Sequence, residues 1–550
     1  MATPANSRKG KRISRAACDM CRERKVQCFF PDTFIRCSRC ERADIPCTFI
    51  SARKPRGPLS RYVGTAKHTR TASPSIFASL AASQRFTLSQ FCSAEVFETI
   101  FNDFLTLVYP VVPLVHPPSF QAQVAEHEHF MPQPVFRQCL AIAAVTIASL
   151  PRKFNEYARS SAYTSTANMV SHAVRLVQIS RIIEEPCYTN KPSLEHLTTS
   201  LMLSMASHYT GDANQGWAYA CEAMLLTRVM HLGERSGYEA VSLVESELRK
   251  RAFWCGYIFQ IHDRISSIVP HTGLSYLPRS TDWDFIIPRA LHDDELTDHD
   301  ELADEQSRRL RLSALPPIVG FVALIKVFRC CADLFSFGVP GSINQAYSMA
   351  SGPFDRQLFP SSPDSGQVAH SPSKGLAAIF QVFQRLSEIL NSLPDELKLP
   401  SHKENVSQTF SDIPDQFEIM RANIHITSLY LQSTILETFA STNSSANQSL
   451  QADVSDEASR VRTKIWRFRE SIAQELLQVL ESCTPWTLEA NGASMIIKVR
   501  EIASTLLDDE DLIENEADST REYITKFVEI LSNLDFGARR GEGTGSVTGR

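Results

Sequence analysis

Six of the chain's 14 cysteines fall between positions 18 and 47, and their spacing limits what this end can fold into. Cys18, Cys21 and Cys28 are set as C-x2-C-x6-C, and after eight residues Cys37, Cys40 and Cys47 repeat the unit. In a reducing compartment such a cluster points to metal rather than disulfides. Structural zinc takes four ligands, usually thiolates, so six are too many for one ion. Two ions need eight coordination places, which six thiolates supply if two of them bridge. The duplicated unit therefore implies a binuclear cluster with two shared sulfurs and a cofactor of two Zn2+. A single four-cysteine site with two cysteines left over and a redox pair at either C-x2-C are the competing readings. A zinc deaminase is excluded, since it needs a His-x-Glu upstream and no histidine precedes Cys18.

Charge is divided in the same way as cysteine. The 550 residues carry 56 Lys and Arg against 61 Asp and Glu, a formal −5. Residues 1–70 hold 17 basic and 5 acidic side chains, a balance of +12, which leaves −17 for the rest. A basic head on an acidic body suggests a polyanion as the head's partner. Arg8-Lys9-Gly10-Lys11-Arg12 reads as a nuclear import signal or a phosphate-binding arm, and Arg53-Lys54-Pro55-Arg56 reads as part of an extended basic linker. Within the cysteine units, the first concentrates Arg22, Arg24 and Lys25 against Asp19 and Glu23, whereas the second balances Arg39 and Arg42 with Glu41 and Asp44. Guanine offers two acceptors in the major groove, for which a Lys or Arg donor is the natural reader. The first unit is thus the expected DNA-facing half.

The stretch Ala17-Cys18-Asp19-Met20-Cys21-Arg22-Glu23-Arg24-Lys25-Val26-Gln27-Cys28, with its second half, resembles the fungal zinc binuclear cluster (Zn2Cys6) transcription factors. The resemblance implies that Cys18 and Cys37 bridge the two metals. It also implies that Arg24 and Lys25 face a CGG triplet, with Lys25 the base reader, and that Arg22 contacts phosphate. The chain departs from the family pattern at Gln27, where Lys is common, and at Ile35, where Pro is. A sustained heptad pattern after the linker is missing: residues 60–90 are rich in Ser, Thr and Ala and contain Pro74. The expected state is a monomer, or a homodimer formed without an obvious coiled coil.

From about residue 93 the apolar periodicity is helical. Phe97, Ile100, Phe101, Phe104, Leu105 and Val108 form one stripe, ended by Pro110. Trp217, Ala220, Cys221, Met224 and Leu225 form another, and Trp254, Tyr257, Ile258, Ile261, Ile265 and Ile268 a third. Three stretches resemble the middle homology region found behind many fungal zinc clusters: Phe104 to Phe120, Gly216 to Gly233, and Glu247 to Ile268. Residues 293–306, 337–375 and 440–455 read as loops, and Leu506 to Glu514 as an acidic helix or loop joining the last two helices, with the composition of an acidic activation segment as the competing reading.

The expected fold class is all-α, a small cluster domain followed by a large all-helical regulatory domain. Its divisions are a disordered basic arm at 1–15, the Zn2Cys6 domain at 16–50, a flexible basic linker at 51–92, the regulatory domain at 93–536 and a disordered tail at 537–550. No segment approaches the roughly 18 unbroken apolar residues of a spanning helix, so a soluble, non-membrane protein is expected. His-x-x-x-His pairs, phosphate loops and Gly-x-Ser-x-Gly elbows are all missing, so no enzyme is expected. The reading is a nuclear transcription factor for RNA polymerase II genes, binding double-stranded DNA at CGG-type sites and meeting the transcription machinery or coactivators. The alternative is a zinc-stabilised protein-interaction regulator that does not touch DNA, against which the +12 head argues.

Overall fold

The computed structural model describes residues 17–29, 36–48, 86–126, 131–159, 161–184, 191–265, 281–297, 315–335, 372–400, 415–447, 455–507 and 514–534. The basic arm, the linker motif around Arg53, Ile268, residues 508–513 of the acidic connection and the tail lie outside them. The chain divides into two compact units, Met1–Ser73 and Pro74–Arg550.

In the first unit the described elements are two short helices, α1 (Asp19–Glu23) and α2 (Ser38–Arg42). The second unit begins its regular helices with α3 (Ala94–Asp103), α4 (Pro117–Glu126), α5 (Gln133–Ser149), α6 (Phe154–Tyr157), α7 (Thr166–Glu184), α8 (Leu194–Tyr209), α9 (Ala213–Val229) and α10 (Leu243–Ile265). It continues with α11 (Ile318–Phe335), α12 (Pro372–Asn391), α13 (Gln416–Asn447), α14 (Ser455–Glu481), α15 (Pro485–Ala490), α16 (Ala493–Ser504) and α17 (Glu514–Leu534). Among the described residues there is no β-strand, and no helix is long and apolar enough to cross a membrane. The fold is all-α.

Two helices organise the larger unit because they are buried on nearly every side. α5 starts on Pro132 and Pro134, where missing N–H groups cost nothing. Its residues Cys139 to Ser149 are buried without a polar face, and α7 and α8 pack on it. α13 plays the same part for α11, α12, α14 and α16. One charge enters α5: Arg137, 1% exposed, makes two parallel hydrogen bonds of 2.9 Å to Glu195 at the start of α8. A buried pair of this kind is costly to break, because the remaining partner is left desolvated.

The three motif stretches of the sequence reading contribute to one buried neighbourhood. Arg251 of α10, 1% exposed, donates to Tyr109 Oη at 2.8 Å and to Asp293 Oδ1 at 2.9 Å. Tyr109 donates to the other Asp293 oxygen at 2.5 Å, and the Asp293 backbone oxygen lies 2.7 Å from His116 Nε2. Trp254 donates to the Ile286 carbonyl at 2.9 Å, and Tyr238 to the Leu232 carbonyl at 2.8 Å. These charged and aromatic residues are consumed in holding helices together.

The structure redraws several elements. The α9 stripe is turned: Gly216, Tyr219, Ala220, Ala223, Leu226 and Thr227 face the core, whereas Leu225 is 48% exposed. Small residues win because α8 approaches closely, with Ser204 Oγ donating to the Gly216 carbonyl at 2.9 Å. A Cβ at Gly216 would stand 2.6 Å from the His208 ring, itself packed against Trp217 and Phe259. α13 runs on to Asn447 through residues whose Ser and Asn content predicts a loop, since extending a formed helix costs only tenths of a kcal/mol per residue, about 0.5 for Ser or Asn. α12 starts at Pro372, inside a predicted loop, with proline again at a helix start. Phe86, Phe91 and Cys92, given to the linker by composition, are buried in the second unit, with the Phe86 ring 5.1 Å from that of Phe136.

Lys498 of α16 is 2% exposed and donates to Thr427 Oγ1 at 2.7 Å and to Asn423 Oδ1 at 3.4 Å. Burial brings its ammonium down from 10.5 to about 7. Between these values the unfolded chain holds a proton that the folded chain lacks, so stability rises with pH across the window; below about 7 both hold it and the cost is constant. Lys498→Met is expected to raise the unfolding free energy at pH 7 by at most about 5 kcal/mol, read as a higher urea midpoint, with a gain that shrinks as pH approaches 10.5. Gly216→Ala is expected to lose about 1 to 3 kcal/mol by overpacking, read in the same denaturation.

Candidate functional site

The backbones of the two cysteine units fold alike. Cys18 and Cys37 are the N-caps of α1 and α2, both with extended backbone. Arg22 N donates to Cys18 O at 2.9 Å, as Glu41 N does to Cys37 O at 3.0 Å. Each helix closes on a left-handed residue, Lys25 with φ 54° and Asp44 with φ 49°. Around these, Lys25 N reaches Arg22 O and Val26 N reaches Cys21 O, while Asp44 N reaches Glu41 O and Ile45 N reaches Cys40 O. This is the Schellman closure, completed by apolar Val26 and Ile45 against the cysteine core. A left-handed Lys or Asp costs about 1 kcal/mol, which the two extra hydrogen bonds offset.

The fold brings the sulfurs together. Cys18 Sγ lies 3.8 Å from Cys37 Sγ and 3.6 Å from Cys40 Sγ, and Cys21 Sγ lies 3.7 Å from Cys37 Sγ. Thiolates around a tetrahedral zinc at about 2.3 Å stand about 3.8 Å apart, so these separations fit shared zinc ions. The sulfurs of Cys18, Cys21, Cys37 and Cys40 all lie within 4.8 Å of one another. Cys28 and Cys47 are outside that foursome, yet the thiol of each interacts electrostatically with those of Cys18 and Cys37, and the Cys37 N–H donates to Cys47 Sγ at 3.4 Å. The two sulfurs that meet every other one are therefore Cys18 and Cys37.

The same two thiols ionise most readily. Burial opposes the Cys37 thiolate, but the Cys40 backbone N–H, the Cys40 and Cys21 thiols and the Arg39 backbone N–H outweigh it and bring the group down to about 6. Cys18 is lowered too, with burial outweighed by the Cys21 backbone and by the Cys21 and Cys40 side chains. Burial and neighbouring thiols push Cys40 up to about 12, and burial takes Cys28 up to about 11. Negative charge is best held at the helix N-caps, where backbone N–H groups converge.

Arg24 and Lys25 are exposed at the C-terminal end of α1. Arg22 sits on the same helix, its side chain 35% exposed and paired with Asp19. Asp19 also closes the module, its N–H donating to the Thr48 carbonyl and its carboxylate accepting from Thr48 Oγ1, both at 2.8 Å. Sequence reasoning missed this clamp; its signal is an acid after the first cysteine and a hydroxyl after the last. In the larger unit, Cys330 is a half-buried helix residue packed on the core, and His127 and His129 lie outside the described residues.

A small module built on converging thiols, with exposed cations on its first helix, and a large all-helical body define a metal-cluster regulator of two parts. Residues 16–57 match the family model described as the fungal Zn(2)-Cys(6) binuclear cluster domain, and residues 101–457 match that of the fungal specific transcription factor domain. The chain belongs to the fungal zinc binuclear cluster transcription factors, and its cofactor is a pair of zinc ions. It is similar to the glucose transport transcription regulator RGT1 of Lachancea thermotolerans, 43% identical over 58 residues. That match spans 10% of this chain and 6% of the relative.

If Cys18 and Cys37 serve both ions, Cys37→Ser is expected to lose both zinc equivalents and Cys47→Ser only one, as counted by atomic emission on the purified full-length chain. Equal losses in the two variants would contradict shared central sulfurs.

Proposed function

We propose that this chain is a sequence-specific, nuclear DNA-binding transcription factor that regulates RNA polymerase II genes and reads CGG-type sites. The observation that carries the reading is the pair of exposed cations, Arg24 and Lys25, at the closing turn of a helix anchored by cluster cysteines. Lys25 is the base reader: its backbone is fixed by the Schellman hydrogen bonds, so its direction is set before binding. Arg24 supports it in the groove. Arg22, held by Asp19, is the phosphate contact. The metal ligands are Cys18, Cys21, Cys28, Cys37, Cys40 and Cys47, with Cys18 and Cys37 bridging. Family membership and the relative's name as a transcription regulator support this reading.

The basic arm at 1–15 and the linker at 51–92 add affinity that is independent of sequence and sensitive to salt. The helical region, 93–536 with Phe86 to Cys92 packed into it, is the regulatory domain that meets coactivators or the transcription machinery. Binding is by a monomer or by a homodimer formed without an obvious coiled coil.

Lys25→Ala is expected to leave two zinc ions per chain and to cost about 1 to 3 kcal/mol of preference for CGG over a scrambled triplet. Fluorescence anisotropy on labelled duplexes at matched salt measures it, and an unchanged preference would remove Lys25 from the reading role.

A further inference from the structure

The matched geometry of the two cysteine units allows their side chains to be compared place by place. Arg22 and Glu41 each donate a backbone N–H to the carbonyl of the N-cap cysteine, at 2.9 and 3.0 Å. Arg24 and Ala43 each donate to the carbonyl four residues back, both at 3.1 Å. Lys25 and Asp44 are the left-handed closing residues. The three positions assigned to DNA in the first unit, all basic, are thus occupied in the second by Glu41, Ala43 and Asp44. One backbone is presented twice, once with three cations and once with two anions. Glu41 and Asp44 are both exposed; Asp44 Oδ1 lies 3.8 Å from Arg36 Nη1, a solvent-exposed pair of the kind that contributes little to stability, so neither carboxylate is needed to pack the module.

Exposed acids at these places have a physical effect on DNA. A duplex approaching the second unit as it approaches the first meets a carboxylate where the first unit offers a base-reading ammonium, and another where it offers a guanidinium. Like charge across an interface disfavours the wrong pose more than it strengthens the right one. Arg39 and Arg42, the cations of this unit, fall at places that the first unit fills with Met20 and Glu23.

We infer that Glu41 and Asp44 are specificity-determining residues that act by repulsion: they deny DNA a second docking face, so that the module engages one duplex through α1 alone. The inference rests on the reading of Arg22, Arg24 and Lys25 as the DNA-facing set. It assigns the α2 face a role in DNA recognition without any contact to DNA.

The test gives the second unit the charges of the first. Full-length, zinc-loaded chain carrying Glu41→Arg and Asp44→Lys is compared with wild type and with the neutral pair Glu41→Gln and Asp44→Asn, after two zinc ions per chain are verified in each. Short CGG duplexes, half with a donor and half with an acceptor dye, report whether one chain holds two of them. The basic variant is expected to show energy transfer, and a number of duplexes held per chain, above the wild-type level, competed better by unlabelled CGG than by a scrambled duplex. Its log–log salt slope is expected to steepen by roughly 0.9 for each phosphate gained. The neutral pair is expected to fall between the two in affinity for scrambled duplex. A basic variant that keeps two zinc ions yet binds a single duplex with the wild-type salt slope overturns the inference. Lys25→Ala, run alongside, separates the levels: if it keeps the CGG preference, the underlying reading falls and this inference with it, whereas if it loses that preference while the basic variant stays single-sided, only this inference falls.

Discussion

Sulfur against sulfur at 3.6 to 3.8 Å is the contact on which the small unit depends. Between thiols it is a weak contact, and between thiolates it is repulsive; cations between the sulfurs turn it into the strongest attraction in the module. Everything that surrounds the sulfurs follows from that requirement. The helices are short because they need only carry two cysteines each one turn apart, and they end at once in left-handed closures that send the chain back towards the cluster. With so few apolar side chains beyond Val26 and Ile45, folding and metal binding are one equilibrium.

The larger unit solves the opposite problem. It has ample apolar surface, and what it must accommodate are charges inside it. Arg137 with Glu195 and Arg251 with Asp293 and Tyr109 place polar and ionic contacts between segments distant in sequence, and Lys250 with Glu247 at 2.8 Å places one within α10. Such contacts add little net stability over apolar packing, but each is costly to mispair. Lys498 differs from them: among the described residues its hydrogen-bond partners are neutral, and burial lowers its affinity for a proton.

Much of this was legible in the sequence, for identifiable reasons. Spacing that repeats over 30 positions is a constraint that few other folds impose, so the cysteine cluster was readable residue by residue. Helical periodicity gave α3, α10 and the all-α class. It failed on α9 because a hydropathy stripe counts Leu225 and Met224 above Gly216 and Ala223, whereas the close approach of α8 rewards the small residues. Phe86 was lost in a polar stretch since a single aromatic has no period, and the extent of α13 was hidden because Ser and Asn tolerate a helix already under way. For the site, composition pointed to Arg22, Arg24 and Lys25; the pairing of Arg22 with Asp19 and the left-handed backbone of Lys25 are facts of folding that composition does not carry.

The Schellman closures separate two sets of positions within each unit. Cysteines and the apolar residue after the left-handed one face inward and fix the backbone, while the side chains at the second helical turn and at the left-handed residue itself point away from the metal core. Replacement at the outward set therefore leaves the inward set untouched. On the proposed reading, a lineage can exchange Arg24, Lys25 or their counterparts in the second unit and so acquire new binding sites, at a folding cost confined to what the left-handed backbone asks of the residue at 25 or 44. A scaffold with this division is open to rapid divergence of targets among duplicated genes.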